Sequence, residues 1–210
     1  MNIFDMKRLP NRITISRIVM IFIFVILANI DNSKINFVNI SANLSWSCHV
    51  AAYILAIVAG FTDILDGWLA RKYNLVSDFG ALMDPLADKI FVVATFIMLV
   101  DYGFMPAWMV VVVLSREFLV TGLRLLAVQK GQVISADKWG KLKTALQMLM
   151  LLIAGASWIG LFGFDLKHGQ IGSIQLWNIW YIFLLLIVAM TVASGIGYFA
   201  KNTHLYEESA

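Results

Sequence analysis

Six apolar runs, each of roughly twenty residues, alternate with short polar stretches along the chain, at about 12–30, 47–70, 81–100, 106–128, 143–164 and 176–200. That length crosses the hydrocarbon core of a bilayer as an α-helix. Lipid offers no water to backbone N–H and C=O groups, so each run is predicted to be helical. Residues 31–46 are polar and rich in asparagine and predict a loop. The first eleven residues, MNIFDMKRLPN, mix Ile3, Phe4, Met6 and Leu9 with Lys7 and Arg8. They predict a short interfacial helix ended by Pro10. A cleaved signal peptide is the alternative for the first run, but 13–30 is long for one and no small-x-small site follows it. The expected architecture is all-α and integral to the membrane. One domain over 1–210 carries six transmembrane helices and a short N-terminal interfacial helix.

Composition sharpens this picture. Hydrophobic residues make up 60% of the chain and charged residues 14%, whereas charged residues are about a quarter of an ordinary soluble domain. The net charge of +3 says less than its distribution. Fourteen of the sixteen Lys and Arg fall at the N-terminus, 70–84, 124–143, the C-terminus or nearest that side, leaving Lys34 and Lys167 for the other. The positive-inside rule then puts both termini in the cytoplasm. A lone cysteine, Cys48, excludes an intrachain disulfide and a multi-cysteine metal site, and His49, His168 and His204 lack zinc-ligand spacing. Trp108, Trp158, Trp177 and Trp180 fall near span ends, as interfacial anchors do. No nucleic-acid partner is expected.

The chemistry concentrates in FTDILDGWLARKYNLVSDFGALMDPLADKI, from Phe61, at the predicted cytoplasmic ends of the second and third spans. Asp63 and Asp66 are spaced i, i+3 and share a helix face; Asp84 and Asp88 are spaced i, i+4 and share another. A helical hairpin turning near 72–79 would bring the pairs together. Four carboxylates at close range repel one another and become neutral unless one or two divalent cations cancel their charge. An all-oxygen donor set favours a hard ion such as Mg²⁺ or Mn²⁺. The alternative is a set of helix caps and solvated acids, which suits Asp78. Pro85 either opens a helix capped by Asp84 or sits inside one that begins earlier. Gly67 and Ala70 let a bulky group approach the backbone, and Arg71 beside them can bind a phosphate oxygen, which together suggest a diphosphate substrate.

A second polar group interrupts the fourth and fifth spans. Arg116 and Glu117 lie inside MVVVVLSREFLVTGL, Arg124 follows eight residues on, and Lys141 and Lys143 open the fifth span. These cations suit a phosphate on a second, polar substrate, with Ser115 and Thr121 adding hydroxyls. The alternatives are an ion pair between Arg116 and a carboxylate of a neighbouring helix, and membrane anchoring by Lys141 and Lys143. Asn11, Thr14 and Arg17 recur every three residues on the first span. They suit either the headgroup of the first substrate or a helix cap with a basic anchor.

The aspartate block spells D-x2-D-G-x2-A-R-x8-G-x3-D-x3-D through Asp63, Asp66, Gly67, Ala70, Arg71, Gly80, Asp84 and Asp88. It resembles the signature of the CDP-alcohol phosphotransferase family. LPNRITISRI, MDPLADK, SREFLVTGLRLLAV and WGKLKTALQM extend the likeness toward the bacterial branch that makes phosphatidylglycerophosphate; 31–50 and 160–176 carry none. The resemblance implies six spans, a homodimer, and a cytoplasm-facing cavity open to lipid in the bacterial inner membrane. It implies two divalent cations on Asp63, Asp66 and Asp84, with Asp88 touching the metals and serving as general base. Gly67, Ala70, Arg71 and Gly80 match the positions that shape the CDP site. The expected reaction transfers the phosphatidyl group of CDP-diacylglycerol to sn-glycerol 3-phosphate, bound by Arg116, Arg124 and Lys141. The alternatives are a sibling using another acceptor, as in cardiolipin, phosphatidylinositol or phosphatidylserine synthesis, and a six-span cation transporter. The clustering of the carboxylates at one face argues against transport.

Overall fold

A computed structural model describes residues 3–30, 41–73, 78–132, 138–171 and 173–203. Within them, the side chains of 3–13, 63–73, 78–82, 84, 138–139, 141 and 171 are outside the description. The described residues are mostly helical and contain six α-helices: α1 (Ile3–Ala28), α2 (Ala42–Tyr73), α3 (Asp78–Asp101), α4 (Ala107–Gln129), α5 (Lys138–Trp158) and α6 (Leu176–Lys201). Ala42–Thr62 of α2 and the whole of α6 are long and apolar enough to cross a membrane; Thr14–Ala28 and Leu142–Trp158 are shorter apolar stretches.

The chain divides into two compact units, Met1–Met98 and Leu99–Ala210. In the first, α1 packs along α2. The buried residues of α1 are Thr14, Arg17, Ile21, Phe24 and Ala28, which repeat at alternating steps of three and four and so form one stripe. Ile15, Val19, Phe22 and Ile26 stay exposed on the rest of the helix, which is how a lipid-facing surface reads. α2 buries Ser45, Ala52 and Ala59 at seven-residue intervals. Small residues in one row let two helix backbones approach closely, the main route to tight packing where lipid removes the hydrophobic driving force. The joint is polar at the end where α1 leads into α2. Ser41 caps α2 by accepting from the Leu44 amide at 3.3 Å, and the Ser45 hydroxyl donates to the Ile30 carbonyl just past α1 at 3.0 Å.

In the second unit, α4 and α5 each pack on α6. Val120, Leu123, Ala127 and Tyr198 form a buried cluster edged by Leu126 and Phe199. The connection from α5 to α6 is built from local bonds. Gly160 and Phe162 take left-handed φ values of 65° and 54°, which end α5 and turn the chain through the short 3-10 segment Leu161–Gly163. Asp165 accepts from the Lys167 amide (2.8 Å), the His168 amide (3.2 Å) and His168 Nδ1 (2.9 Å). These donors, the imidazole first, hold its carboxyl below the usual carboxylate range. A two-stranded antiparallel ribbon then pairs β1 (Gln170–Ile171) with β2 (Ile174–Gln175). Trp180 anchors the start of α6, donating from Nε1 to the Phe104 carbonyl at 2.7 Å.

Several expectations need correction. The chain does not break at Pro10: α1 is one helix from Ile3 to Ala28, so no separate interfacial helix ends there. A proline removes one helical N–H, and near a helix end solvent or headgroups satisfy the carbonyl it leaves. The same economy explains Pro85, which lies inside α3 and does not start it. α2 begins at Ala42, inside the expected loop, because Ser41 caps it. α5 runs from Lys138 to Trp158, earlier at both ends than the expected fifth span. Trp180 is buried and bonded to protein, unlike the interfacial anchor expected of it.

Candidate active site

The carboxylates sit where two long helices approach a four-residue connection. Asp63 and Asp66 fall in the last turns of α2, on an unbroken helix that ends at Tyr73. Asp84 and Asp88 fall in the first turns of α3, which starts at Asp78. The i, i+3 and i, i+4 spacings therefore lie on true helical backbone, and each pair occupies one helix face. The side chains of Asp63, Asp66, Ala70, Arg71 and Asp84 lie outside the described residues, as does that of Asn11. Asp88 is described: its carboxylate is part-exposed, and Oδ2 stands 3.8 Å from Lys89 Nζ. Next to it Ala87 is fully buried, while Pro85 and Leu86 are exposed. Four acids fall within 26 residues that span the end of α2 and the start of α3, and carboxylate oxygens are the donors a hard divalent cation takes. The same turns carry Gly67, Ala70, Arg71 and Gly80 on helical backbone.

On α1, Thr14 and Arg17 are each only 1% exposed. Arg17 is thus not the surface anchor of the alternative reading. Its side chain is buried, where a charge needs partners that lipid does not supply.

The cations of the second unit form a built cluster. Arg116 lies on the side of α4 that meets α6. Its Nη2 donates to the Ser194 hydroxyl at 2.7 Å, and Nη1 lies 3.4 Å from Glu117 Oε1. Glu117, 9% exposed, also receives the ammonium of Lys143 from α5, itself 3% exposed. Lys143 is therefore half of a buried ion pair, and the anchoring alternative fails for it. The ion-pair alternative for Arg116 holds in a different form, since its carboxylate is the next residue on its own helix. Arg116 Nε is buried without a hydrogen-bond partner, so the guanidinium retains an unused donor. Two turns on, Arg124 also reaches α6: Nε donates to Tyr198 Oη at 3.0 Å, with the guanidinium carbon 5.5 Å from the ring centre. Arg116 and Arg124 thus share the α6-facing side of α4, as their spacing predicts. Thr121 donates back to the Glu117 carbonyl at 2.8 Å. Ser115 lines an apolar groove of about 790 Å³ with Phe118, Leu119 and Gly122. Neither hydroxyl bonds Arg116 or Arg124 among the described residues. The Lys141 side chain lies outside the description.

The profile of the CDP-alcohol phosphatidyltransferase family matches residues 7–193. The chain belongs to the CDP-alcohol phosphatidyltransferase family. Among similar proteins is the CDP-diacylglycerol–glycerol-3-phosphate 3-phosphatidyltransferase of Bacillus subtilis (strain 168), 42% identical over 199 residues that cover 94% of this chain and 96% of that one. The protein of the same name from Mycoplasma pneumoniae is 34% identical over 94% of this chain and 88% of its own. That from Rickettsia typhi is 36% identical over 92% and 96%. The family match takes in every predicted site residue, from Asn11 to Lys141, and runs through both compact units.

In this CDP-alcohol phosphatidyltransferase, the residues that sequence reasoning missed are on α6. Ser194, Gly195 and Tyr198 meet the two arginines of α4. The available signal was a serine beside a glycine inside one of the most apolar helices of the chain. Polar and small residues in such a helix face protein. Glu117 was visible as a buried acid, but no local pattern names Lys143, 26 residues away, as its partner.

Proposed function

We propose that this protein transfers the phosphatidyl group of CDP-diacylglycerol to sn-glycerol 3-phosphate, giving phosphatidylglycerophosphate and CMP for phosphatidylglycerol synthesis. The observation that carries this reading is the 42% identity, across 94% of the chain, to a relative named for that reaction. The complete aspartate signature on α2 and α3 supports it. We read 1–210 as one functional domain with six spans in the bacterial inner membrane. Its termini and site face the cytoplasm and it forms a homodimer; the positive-inside count and the six helices support the topology.

Asp63, Asp66, Asp84 and Asp88 would hold two divalent cations, Mg²⁺ or Mn²⁺, whose charge offsets that of the diphosphate and of the departing CMP. Gly67, Ala70 and Gly80 leave room for the cytidylyl diphosphate along the helix backbones, and Arg71 contacts a phosphate oxygen. Asn11, Thr14 and Arg17 face the donor headgroup. The acceptor's phosphate is held by Arg116, Arg124 and Lys141, with Ser115 and Thr121 at the edge of that site. Asp88 takes the proton from the free primary hydroxyl of glycerol 3-phosphate. The resulting oxygen attacks the phosphorus that bears diacylglycerol, the bond to the cytidylyl phosphate breaks, and CMP leaves. Most of the rate comes from positioning and electrostatics, as in phosphoryl transfer generally.

The test is CMP release by purified protein in detergent with CDP-diacylglycerol and Mg²⁺ or Mn²⁺. Glycerol 3-phosphate, inositol, serine and phosphatidylglycerol are supplied one at a time. Release with glycerol 3-phosphate alone, abolished in Asp88→Asn, supports the reading. Release with a different acceptor retains the carboxylate site and removes the acceptor assignment. No release with any acceptor from folded, metal-supplemented protein overturns the whole.

A further inference from the structure

The side chain of Arg116 is gripped from two directions. On its own helix, Glu117 Oε1 lies 3.4 Å from Nη1, and that carboxylate is fixed in turn by the ammonium of Lys143. From α6, the Ser194 hydroxyl accepts from Nη2 at 2.7 Å. The residue after it, Gly195, is buried, and the arginine's aliphatic stem lies across its bare backbone. A β-carbon placed on Gly195 would come within 2.9 Å of Arg116 Cγ and 3.6 Å of Nε, and its three nearest neighbours would all be atoms of Arg116. Cγ is close to the root of the side chain, so it cannot swing clear without a change of rotamer. The glycine is not needed for its backbone. Gly195 lies within α6, where a glycine destabilises the helix relative to alanine. Its use is the space it leaves for Arg116.

We propose that Glu117, Ser194 and Gly195 are positioning residues that hold the Arg116 guanidinium in a single orientation for the phosphate of the acceptor. None of the three needs to touch substrate. Glu117 and Ser194 each engage one terminal nitrogen, and Gly195 admits the stem. Of the five N–H donors of the guanidinium, Glu117 and Ser194 take one each, which leaves a donor on each terminal nitrogen for a phosphate oxygen. A guanidinium free to change rotamer would lose the paired geometry that makes arginine an anion binder. α6 would then set acceptor affinity, although the sequence pattern puts the reacting carboxylates on α2 and α3. The proposal rests on the reading of Arg116 as an acceptor-phosphate ligand.

The deciding experiment is steady-state kinetics of CMP release with both substrates varied, alongside thermal unfolding, for Gly195→Ala, Ser194→Ala, Glu117→Gln/Lys143→Met and Arg116→Gln. The double variant removes one charge of each sign, so the net charge of the buried cluster is unchanged and Lys143 is not left without its carboxylate. The expected result for Gly195→Ala is a rise of about tenfold or more in KM for glycerol 3-phosphate, the cost of misaiming a charge-assisted hydrogen bond. KM for CDP-diacylglycerol and kcat at saturating acceptor stay within about twofold, and the melting temperature is unchanged or higher. Ser194→Ala and the double variant move the same KM in the same direction. A purely structural glycine gives the opposite pattern, with lower stability and no selective change in acceptor KM. If Arg116→Gln raises the acceptor KM and Gly195→Ala does not, the positioning role is wrong and the phosphate reading survives. If Arg116→Gln leaves the acceptor KM unchanged, the phosphate reading itself is wrong and the proposal falls with it.

Discussion

Breaking the Glu117–Lys143 pair from either side should not cost the same. Both side chains are nearly dry, 11% and 4% exposed, and removing one member of such a pair costs about 3–5 kcal/mol because the other is left buried and unmatched. Lys143→Met leaves Glu117 with Arg116 still 3.4 Å away. The Coulomb attraction across that distance is about 5 kcal/mol gross at an effective dielectric near 20, much of it already offset by desolvation. The remaining carboxylate is therefore partly matched, and the expected loss is about 3 kcal/mol, the low end of the range. Glu117→Gln leaves two buried cations without their shared carboxylate, so the loss should reach about 5 kcal/mol. The double variant removes one charge of each sign and should come within about 1–2 kcal/mol of the parent. Chemical or thermal unfolding in detergent micelles measures all three. A loss of 3 kcal/mol corresponds to roughly 6–12 °C in a chain of this size. The reasoning is refuted if Lys143→Met costs as much as Glu117→Gln, or if the double variant's loss equals the sum of the singles.

Trp180→Phe leaves the Phe104 carbonyl buried and without its donor, and should cost about 1–2 kcal/mol in the same unfolding assay, with the acceptor KM unaffected. Asp165 titrates below the ordinary carboxylate range when folded, so its bonds stabilise the α5–α6 connection fully above the unfolded value of about 3.9 and fade as pH falls through the lower folded value. Hydrogen exchange at the amides of Lys167 and His168, compared with the intrinsic rate, should lose protection only below about pH 4, and Asp165→Asn should remove that dependence. Chelation with EDTA should abolish CMP release, and added Mg²⁺ or Mn²⁺ should restore it; full activity after exhaustive chelation would remove the metal from the reaction.

The helices are unevenly legible from hydropathy, for reasons that particular residues show. α4 and α6 fall within two residues of the spans expected at 106–128 and 176–200. Extended Pro106 stops the chain before α4, and Gly131, at φ 70°, turns it after Lys130. Hydropathy marks where lipid begins and ends, not where a helix does. α2 and α5 therefore continue through polar residues that no hydrophobic run includes, and α1 and α3 continue through prolines that a local rule treats as breaks. The aspartates stand out in the sequence because the chemistry proposed for them rests on short spacings, each on one helix. The arginine cluster was legible only in part. Arg116 and Arg124 stand out in an apolar run, but Ser194 and Tyr198 are 78 and 74 residues away from them, and only tertiary packing makes the connection.

The burial of Arg17 bears on how α1 and α2 hold together. A guanidinium at the middle of a single membrane helix costs roughly 2.5–3.5 kcal/mol, and a neighbouring helix that covers it lowers that cost. α2 begins fourteen residues after α1 ends, and its seven-residue row of small side chains suits close packing against a neighbouring helix. The two helices are then expected to act as one element, because parting them would uncover the α1 stripe that carries Arg17.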